Sequence, residues 1–254
     1  MLSTDATSNW FEKYTDMFKV SGELPSMCAL KKAHSRRVCG NVCAIREELS
    51  WNESTDAWLA YSVGLLHDVG RFPQSRDYGT FLDAASVDHG DLAVEILGKD
   101  FIWEDVPNNI KDTLLTAIKY HNKKDLPANM DKDIRKWAEL IRDADKIDIF
   151  RMVQARIENG TINQMLPRHP ITKELTPALV EEIRLTGKGS YPKAKSLKDY
   201  RLIQLTWGYD LNYRCSVAVL KNEGIFEKIV QDLAGDGIDD LLRVIAAKID
   251  AKCA

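Results

Sequence analysis

Apolar residues recur at a spacing of three or four along most of this 254-residue chain. Segment 26–49 is typical, with apolar side chains at Cys28, Leu30, Val38, Val42 and Ile45. Runs of strict alternation between apolar and polar residues, which would indicate half-buried strands, are short. A period near 3.6 residues places apolar side chains on one face of a helix. The sequence therefore predicts an all-α fold.

The same pattern, with the prolines that interrupt it, predicts where helices begin and end. Helices are predicted over 26–49, 54–66, 88–97, 108–121, 133–151, 199–220 and 238–252. The stretch 71–85 loses the helical pattern and contains Pro73, so we expect a long loop, a kind of segment that commonly serves a site. Segment 185–198 combines glycine, proline and lysine and is interpreted as a mobile basic connection between helices.

The length of the chain is enough to bury a sizeable core in one domain. We therefore expect a single domain over 1–254, made of a core at 26–150 and a helical C-terminal extension at 151–254. Its five cysteines have no regular spacing and are predicted to be reduced thiols. Cys39 and Cys43 are interpreted as small buried apolar residues rather than as metal ligands.

Composition narrows the classes of partner. Hydrophobic residues make up 44% and charged residues 29%, as in an ordinary soluble globular protein, and the net charge of -3 gives no long-range attraction for nucleic acid. The most apolar stretch, 57–66, is about half the roughly 20 residues needed to cross a bilayer. The first residues show neither the basic start nor the apolar run of a secretory signal. We expect no nucleic-acid partner, no membrane association and a cytoplasmic location.

Four of the five histidines lie near predicted helix ends or turns in the first half of the chain, close to acidic or polar residues. They are His34, His67, His89 and His121. Asp68 follows His67, Asp88 precedes His89, and Asp145 lies in the acidic motif 142–146 further along the chain. Imidazole and carboxylate together form the donor set of Zn²⁺, Mn²⁺, Fe and Co sites. The residues are therefore chemically sufficient for a metal-dependent hydrolase, although ligands this far apart in sequence can meet only through the fold.

Three motifs resemble those of HD-domain phosphohydrolases. Residues 65–71 (LLHDVGR) are similar to the family's His-Asp signature, 34–38 (HSRRV) to its first-histidine motif, and 142–148 (RDADKID) to its closing Ala-Asp motif. The resemblance covers about residues 28 to 150. It implies a helical HD-domain bundle with additional C-terminal helices, in which one divalent transition metal is held by His34, His67, Asp68 and Asp145.

Two further motifs resemble the extra ligands of binuclear members of the family. They are Asp88-His89-Gly90 and Tyr120-His121-Asn122. The resemblance then implies a second ion on His89 and His121, with Asp68 as a bridge, so that the site holds one or two ions of Mn, Fe, Zn or Co, with Mg also allowed. The tripeptide signature of the cyclic-di-nucleotide phosphodiesterases is missing, and Arg71 replaces their common lysine, so that specificity is not expected.

Basic residues surround every predicted ligand. Arg37, Arg71 and Lys146 are predicted to bind substrate phosphate, since guanidinium groups can hold phosphate oxygens in pairs. Asp68 and Arg71 are the predicted catalytic residues, although a guanidinium group does not titrate usefully and cannot be the proton donor.

Asp143, Asp148 and His169 are not among the predicted ligands. Asp143 competes with Asp145 as a ligand, and the resemblance favours Asp145. Asp148 is interpreted as a surface residue or as a group supporting the ligands, and His169, which fits no motif, as solvated.

The function expected from these residues is that of a metal-dependent phosphohydrolase. Its substrate would be a small, nucleotide-like phosphomonoester or phosphodiester, attacked by a metal-activated hydroxide. Two alternatives stay open: an HD-fold diiron oxygenase, which the ligand positions resemble equally, and a non-enzymatic helical module that binds a metal or a nucleotide. Assembly into a homo-oligomer is left open.

Overall fold

In the computed structural model, residues 2–164 and 174–253 are described, and His169 lies outside them. The described residues contain helices and no β-strand, so the all-α prediction is confirmed. The chain divides into two compact units, Met1–Asp148 and Ile149–Ala254. The prediction of a single domain stays a prediction.

The first unit contains six helices and most of a seventh. They are α1 (Thr4–Asp16), α2 (Ser26–Glu48), α3 (Asp56–Leu66), α4 (Arg71–Tyr78), α5 (His89–Asp100), α6 (Asn108–Tyr120) and α7 (Lys132–Glu158), whose last ten residues belong to the second unit. The predicted helices that begin near 26, 54, 88, 108 and 133 are all present. Helix α1 was not predicted, although its Phe11 is fully buried.

Helices α2 and α3 form a closely packed antiparallel pair, as the short break after Leu49 predicts. A side chain at Gly64 of α3 would lie 2.6 Å from the Cα atom of Cys39 in α2, so only glycine permits this approach. Cys39 is buried and its thiol donates a hydrogen bond to the carbonyl of Tyr61, which agrees with its interpretation as a buried thiol. The pairing brings the middle of α2 against the end of α3.

Residues 71–78 are helical, so the prediction of a loop over 71–85 was wrong for its first half. Pro73 is the third residue of α4, and a proline in the first turn removes no hydrogen bond from the helix. Gly79 ends α4 in the left-handed conformation, with φ 63°. A turn of 3₁₀ helix at Asp83–Ala85 then leads into α5.

The second unit continues with five helices. They are α8 (Pro177–Thr186), α9 (Leu197–Thr206), α10 (Arg214–Asn222), α11 (Ile225–Leu233) and α12 (Asp239–Cys253). The helix predicted over 199–220 is divided into α9 and α10 by a 3₁₀ turn at Trp207–Asp210. None of the helices in the described part of the chain combines the length and the apolar character that spanning a bilayer requires.

Candidate metal centre

Five segments of the first unit bring the predicted ligands together. His34 lies in the middle of α2, His67 and Asp68 follow the last residue of α3, and His89 is the first residue of α5. His121 follows α6, and Asp145 lies in α7. All but Asp145 are buried, with exposed fractions of 6% or less. The Asp145 side chain keeps 21% of its surface exposed and marks the more open side of the cluster.

Asp68 lies at the centre and presents a different oxygen to each pair of histidines. Its Oδ2 atom is 3.4 Å from His34 Nε2 and 3.5 Å from His67 Nε2. Its Oδ1 atom is 3.4 Å from His89 Nε2 and 3.7 Å from His121 Nε2. A carboxylate between two pairs of imidazoles is the arrangement that a bridge between two ions requires.

Each histidine is oriented by a hydrogen bond at its other ring nitrogen. The Nδ1 atoms of His67 and His121 lie 2.8 Å and 2.6 Å from the carbonyl oxygens of Gly64 and Ile118. Those of His34 and His89 lie 2.7 Å from carboxylate oxygens. Carbonyl and carboxylate oxygens only accept, so Nδ1 carries a proton in all four rings. The Nε2 atoms therefore face Asp68.

Ring nitrogens that lack a hydrogen-bond partner indicate that these residues can bind a metal ion. His34 Nε2 and His67 Nε2 are buried without a hydrogen-bond partner. His34 Nε2 does lie 3.0 Å from Asp145 Oδ1, but the direction is not that of a hydrogen bond. The Nε2 atoms of His89 and His121 lie only 3.0 Å apart. Such buried, electron-rich groups repel one another unless a cation lies between them.

Three overlapping groups of side chains have ligand atoms within 4.8 Å of one another. They are His34, His67 and Asp68; His67, His121 and Asp145; and Asp68, His89 and His121. Two ligand atoms that each lie about 2.1 Å from one ion are separated by roughly 3.0–3.4 Å, close to the spacings around Asp68. The donor set fits a divalent transition ion. Within the described residues, Asp145 and not Asp143 belongs to such a group.

Burial and nearby charges keep Asp68, His67 and His89 in the protonation states that metals bind. Burial would raise the pKa of Asp68, but Lys31, whose Nζ lies 2.7 Å from Asp68 Oδ2, holds that pKa well below its usual range. Burial lowers the pKa of His67 and lowers that of His89 to about 4. At neutral pH the carboxylate is therefore ionised and these two imidazoles are neutral.

The structure places the predicted phosphate contacts beside the site, in contact with other side chains. Arg37 holds Asp148 through Nε and Nη2, at 2.6 Å and 3.0 Å. Arg71 donates from Nη1 to the carbonyl of Phe81 and to Asp83, at 2.6 Å and 2.9 Å. Lys146, adjacent to Asp145, is partly exposed. Phosphate binding by Arg37, Arg71 and Lys146 stays a prediction, as does a catalytic role for Asp68 and Arg71.

Two residues that contact the ligands were not chosen from the sequence. Lys31, which contacts Asp68, lies three positions before His34 in α2, and that spacing on one helix face could have identified it. Asp83 accepts from His89 and lies in the stretch expected to border the site. Asp148 is 2% exposed, so its interpretation as a surface residue was wrong. It accepts a hydrogen bond from His34, which agrees with the other interpretation, that it supports the ligands.

In a comparison with known families, residues 32–149 match the model of the HD domain. The matched segment contains every predicted ligand, from His34 to Asp145. Comparisons with curated proteins and with solved structures gave no significant match. The HD domain characterises a superfamily of metal-dependent hydrolases. Residues 32–149 are therefore identified as an HD domain.

Proposed function

We propose that this chain is a metal-dependent phosphohydrolase that acts on a small, nucleotide-like phosphomonoester or phosphodiester. The observation that carries the proposal is the position of Asp68, with Oδ2 near His34 and His67 and Oδ1 near His89 and His121. One or two divalent ions bound there would act as Lewis acids and lower the pKa of a water molecule enough to supply hydroxide near neutral pH.

The residues of the chain would hold, orient and shield the reacting groups. The four histidines would hold the ions through Nε2 while each Nδ1–H donates to a fixed acceptor, so none of these rings would be available to move a proton during the reaction. Asp68 and Asp145 add the negative charge that makes the site selective for cations. The burial of the histidines keeps bulk water away from the inner side of the site.

Positive charge and an aromatic ring at the site support a phosphorylated, nucleotide-like substrate. Lys31 places an ammonium group beside Asp68, where a phosphoryl oxygen could accept from it. The partly exposed ring of Phe81 lies 5.5 Å from Lys31 Nζ and 5.6 Å from Arg71 Cζ. An aromatic face next to a cation can stack against a base while the cation binds phosphate.

The test is phosphate release from a panel of substrates by metal-free protein supplied with Mn²⁺, Co²⁺, Fe²⁺ or Zn²⁺. The panel would contain p-nitrophenyl phosphate, its bis ester, and nucleoside mono-, tri- and cyclic phosphates. We expect His67→Ala and Asp68→Ala to abolish turnover while the helical circular dichroism spectrum is retained, because both residues hold the ion. Asp91→Ala, which removes an exposed carboxylate of α5, is the control and should stay active.

Three outcomes would contradict this proposal. Full activity in Asp68→Ala would sink the assignment of the site. Two irons per chain in anaerobically purified protein, with an oxygen-dependent spectral change and no phosphate release, would support the diiron oxygenase. Tight binding of a metal or nucleotide without turnover under any metal would support the non-enzymatic module. Elemental analysis of the protein as purified would identify its metal.

A further inference from the structure

Two of the four candidate ligand histidines are supported by a carboxylate that an arginine holds. His34 Nδ1 donates to Asp148 Oδ2 at 2.7 Å. Arg37 donates to both oxygens of the same carboxylate, from Nε to Oδ1 at 2.6 Å and from Nη2 to Oδ2 at 3.0 Å. The Asp148 side chain is 3% exposed while that of Arg37 is 48% exposed, so the arginine covers the carboxylate from the outside.

A second set of the same composition supports His89. Its Nδ1 atom donates to Asp83 Oδ2 at 2.7 Å, and Arg71 Nη1 donates to Asp83 Oδ1 at 2.9 Å. Gln74 and Asn122 also donate to Asp83, at 2.8 Å and 3.1 Å. Four donors on one carboxylate leave it little freedom to rotate, so the His89 ring is held in one orientation.

The other two candidate ligands are supported differently. His67 and His121 donate to the carbonyl three residues earlier in their own helical turns, at Gly64 and Ile118. Their orientation therefore comes from local backbone. Each oxygen of Asp68 faces one histidine of each kind: Oδ2 faces His34 and His67, and Oδ1 faces His89 and His121. Each candidate ion position thus has one histidine that is oriented by the carboxylate of another side chain.

We propose that Arg37 with Asp148, and Arg71 with Asp83, are two independent positioning pairs, each of which sets the affinity for one of two metal ions. The inference rests on the two-ion form of the proposed function. A carboxylate that accepts from Nδ1 fixes the ring and makes Nε2 a stronger donor to the ion. The arginine in turn keeps the carboxylate oriented. On this view Arg37 serves the metal through Asp148 and is not a phosphate contact.

The experiment is a Co²⁺ titration of the metal-free full chain, followed by visible absorption and by calorimetry. Asp148→Asn should weaken one binding step about 10- to 100-fold and Asp83→Asn should weaken the other by a similar factor, each leaving the remaining step unchanged. His34→Ala and His89→Ala identify the steps, since each should affect the same step as its carboxylate partner. The readout is metal affinity, so it holds whether or not the protein hydrolyses a phosphoester.

Asp77→Asn is the matched control. Arg76 donates to Asp77 through Nε and Nη2 at 2.6 Å and 2.9 Å, in the same two-point geometry as Arg37 on Asp148, but this exposed pair contacts no ligand. Asp77→Asn should leave both Co²⁺ binding steps as they are in the wild type. If Asp83→Asn or Asp148→Asn fails to fold, Arg71→Gln and Arg37→Gln, which leave the carboxylates in place, should produce smaller losses in the same steps.

A double variant tests the role of the arginine. Arg37→Gln combined with Asp148→Asn should bind Co²⁺ no more weakly than Asp148→Asn alone, because the arginine acts through that carboxylate. Arg37→Gln should also leave the affinity of the metal-loaded protein for inorganic phosphate unchanged. A loss of phosphate affinity without a loss of metal affinity would assign Arg37 to the substrate. That result, a single Co²⁺ step in the wild type, or equal weakening of both steps by each variant would overturn the inference.

Discussion

Lys31 contacts one oxygen of the central carboxylate of the site, and Arg71 Nε lies 3.5 Å from the other oxygen. The Lys31 Nζ atom lies 2.7 Å from Asp68 Oδ2, and its side chain is 16% exposed, so it can reach both the carboxylate and a bound substrate. Its aliphatic stem runs from α2, which also carries His34. If the proposed function holds, a charge at this place would stabilise phosphoryl oxygens without being a metal ligand itself.

Lys31→Met should therefore retain metal and lose activity. Loss of one charge-assisted hydrogen bond costs about 1.5–3 kcal/mol, which corresponds to a fall in kcat/KM of about 10- to 100-fold. Steady-state rates at saturating Mn²⁺, together with the metal content of the variant, measure this. Lys19→Met, which removes an exposed lysine paired with Asp16, is the control. Unchanged kcat/KM in Lys31→Met would show that this ammonium group does not assist the reaction.

The candidate ligands could be identified from sequence because short motifs carry them. His67 and Asp68 are adjacent, and Asp145 follows Ala144 in a recognisable string. Asp83 has no such motif. Its partner His89 is six residues away and Arg71 twelve, and only the turn at Asp83–Ala85 brings these three together. Supporting contacts of this kind depend on tertiary structure, which periodicity does not report.

Helix α4 and helix α5 approach each other directly behind the site. A methyl group at Gly70, just before α4, would lie 2.2 Å from the carbonyl oxygen of His89 and 2.9 Å from the amide nitrogen of Ala93. Both neighbours are backbone atoms and cannot rotate away. Because His89 begins α5, any shift that relieves the contact also moves a candidate ligand.

Gly70→Ala should thus lower both stability and metal affinity. Overpacking of this kind costs about 1–3 kcal/mol, and each kcal/mol lowers Tm by about 2–4 °C in a chain of this size. Gly98→Ala is the matched control in α5, since nothing lies within 4 Å of the added methyl group. It should stabilise the helix by up to about 1 kcal/mol. Thermal melts and Co²⁺ titrations of both variants would check this, and equal behaviour of the two would contradict the close approach.

The starts of several helices were more predictable than the number of helices, since seven were predicted and the described residues contain twelve. Helices α2, α6 and α12 begin within one residue of their predicted starts, because the apolar period and the flanking turn residues mark these starts. Helix α4 was missed because its proline was interpreted as a helix breaker, whereas the first turn accepts one. The stretch 199–220 was taken as one helix because a 3₁₀ turn at Trp207–Asp210 keeps much of the helical period.

At the scale of the whole molecule, every candidate ligand lies in the unit Met1–Asp148. All of them except Asp145 are buried, and a bound metal ion would offset the repulsion between their donor atoms. An ion that binds the folded state alone shifts the unfolding equilibrium toward the native state.

Addition of Mn²⁺ or Co²⁺ to metal-free protein should therefore raise Tm. At a free metal concentration about 100 times Kd the gain is about 2.7 kcal/mol, or roughly 5–10 °C for a chain of this length. Differential scanning calorimetry with and without metal measures the shift. Asp68→Ala should show no response, and an equal response in Asp68→Ala and wild type would place the metal elsewhere.

The burial of the histidine nitrogens also has a kinetic consequence. His34 and His67 are 1% and 0% exposed, and the more exposed Asp145 marks the side from which an ion can arrive. Because every ring is already held at Nδ1, release of an ion cannot proceed by simple rotation of one ligand. We expect long residence times, so that the ion acquired during synthesis persists through dialysis and reflects the metals available to the cell.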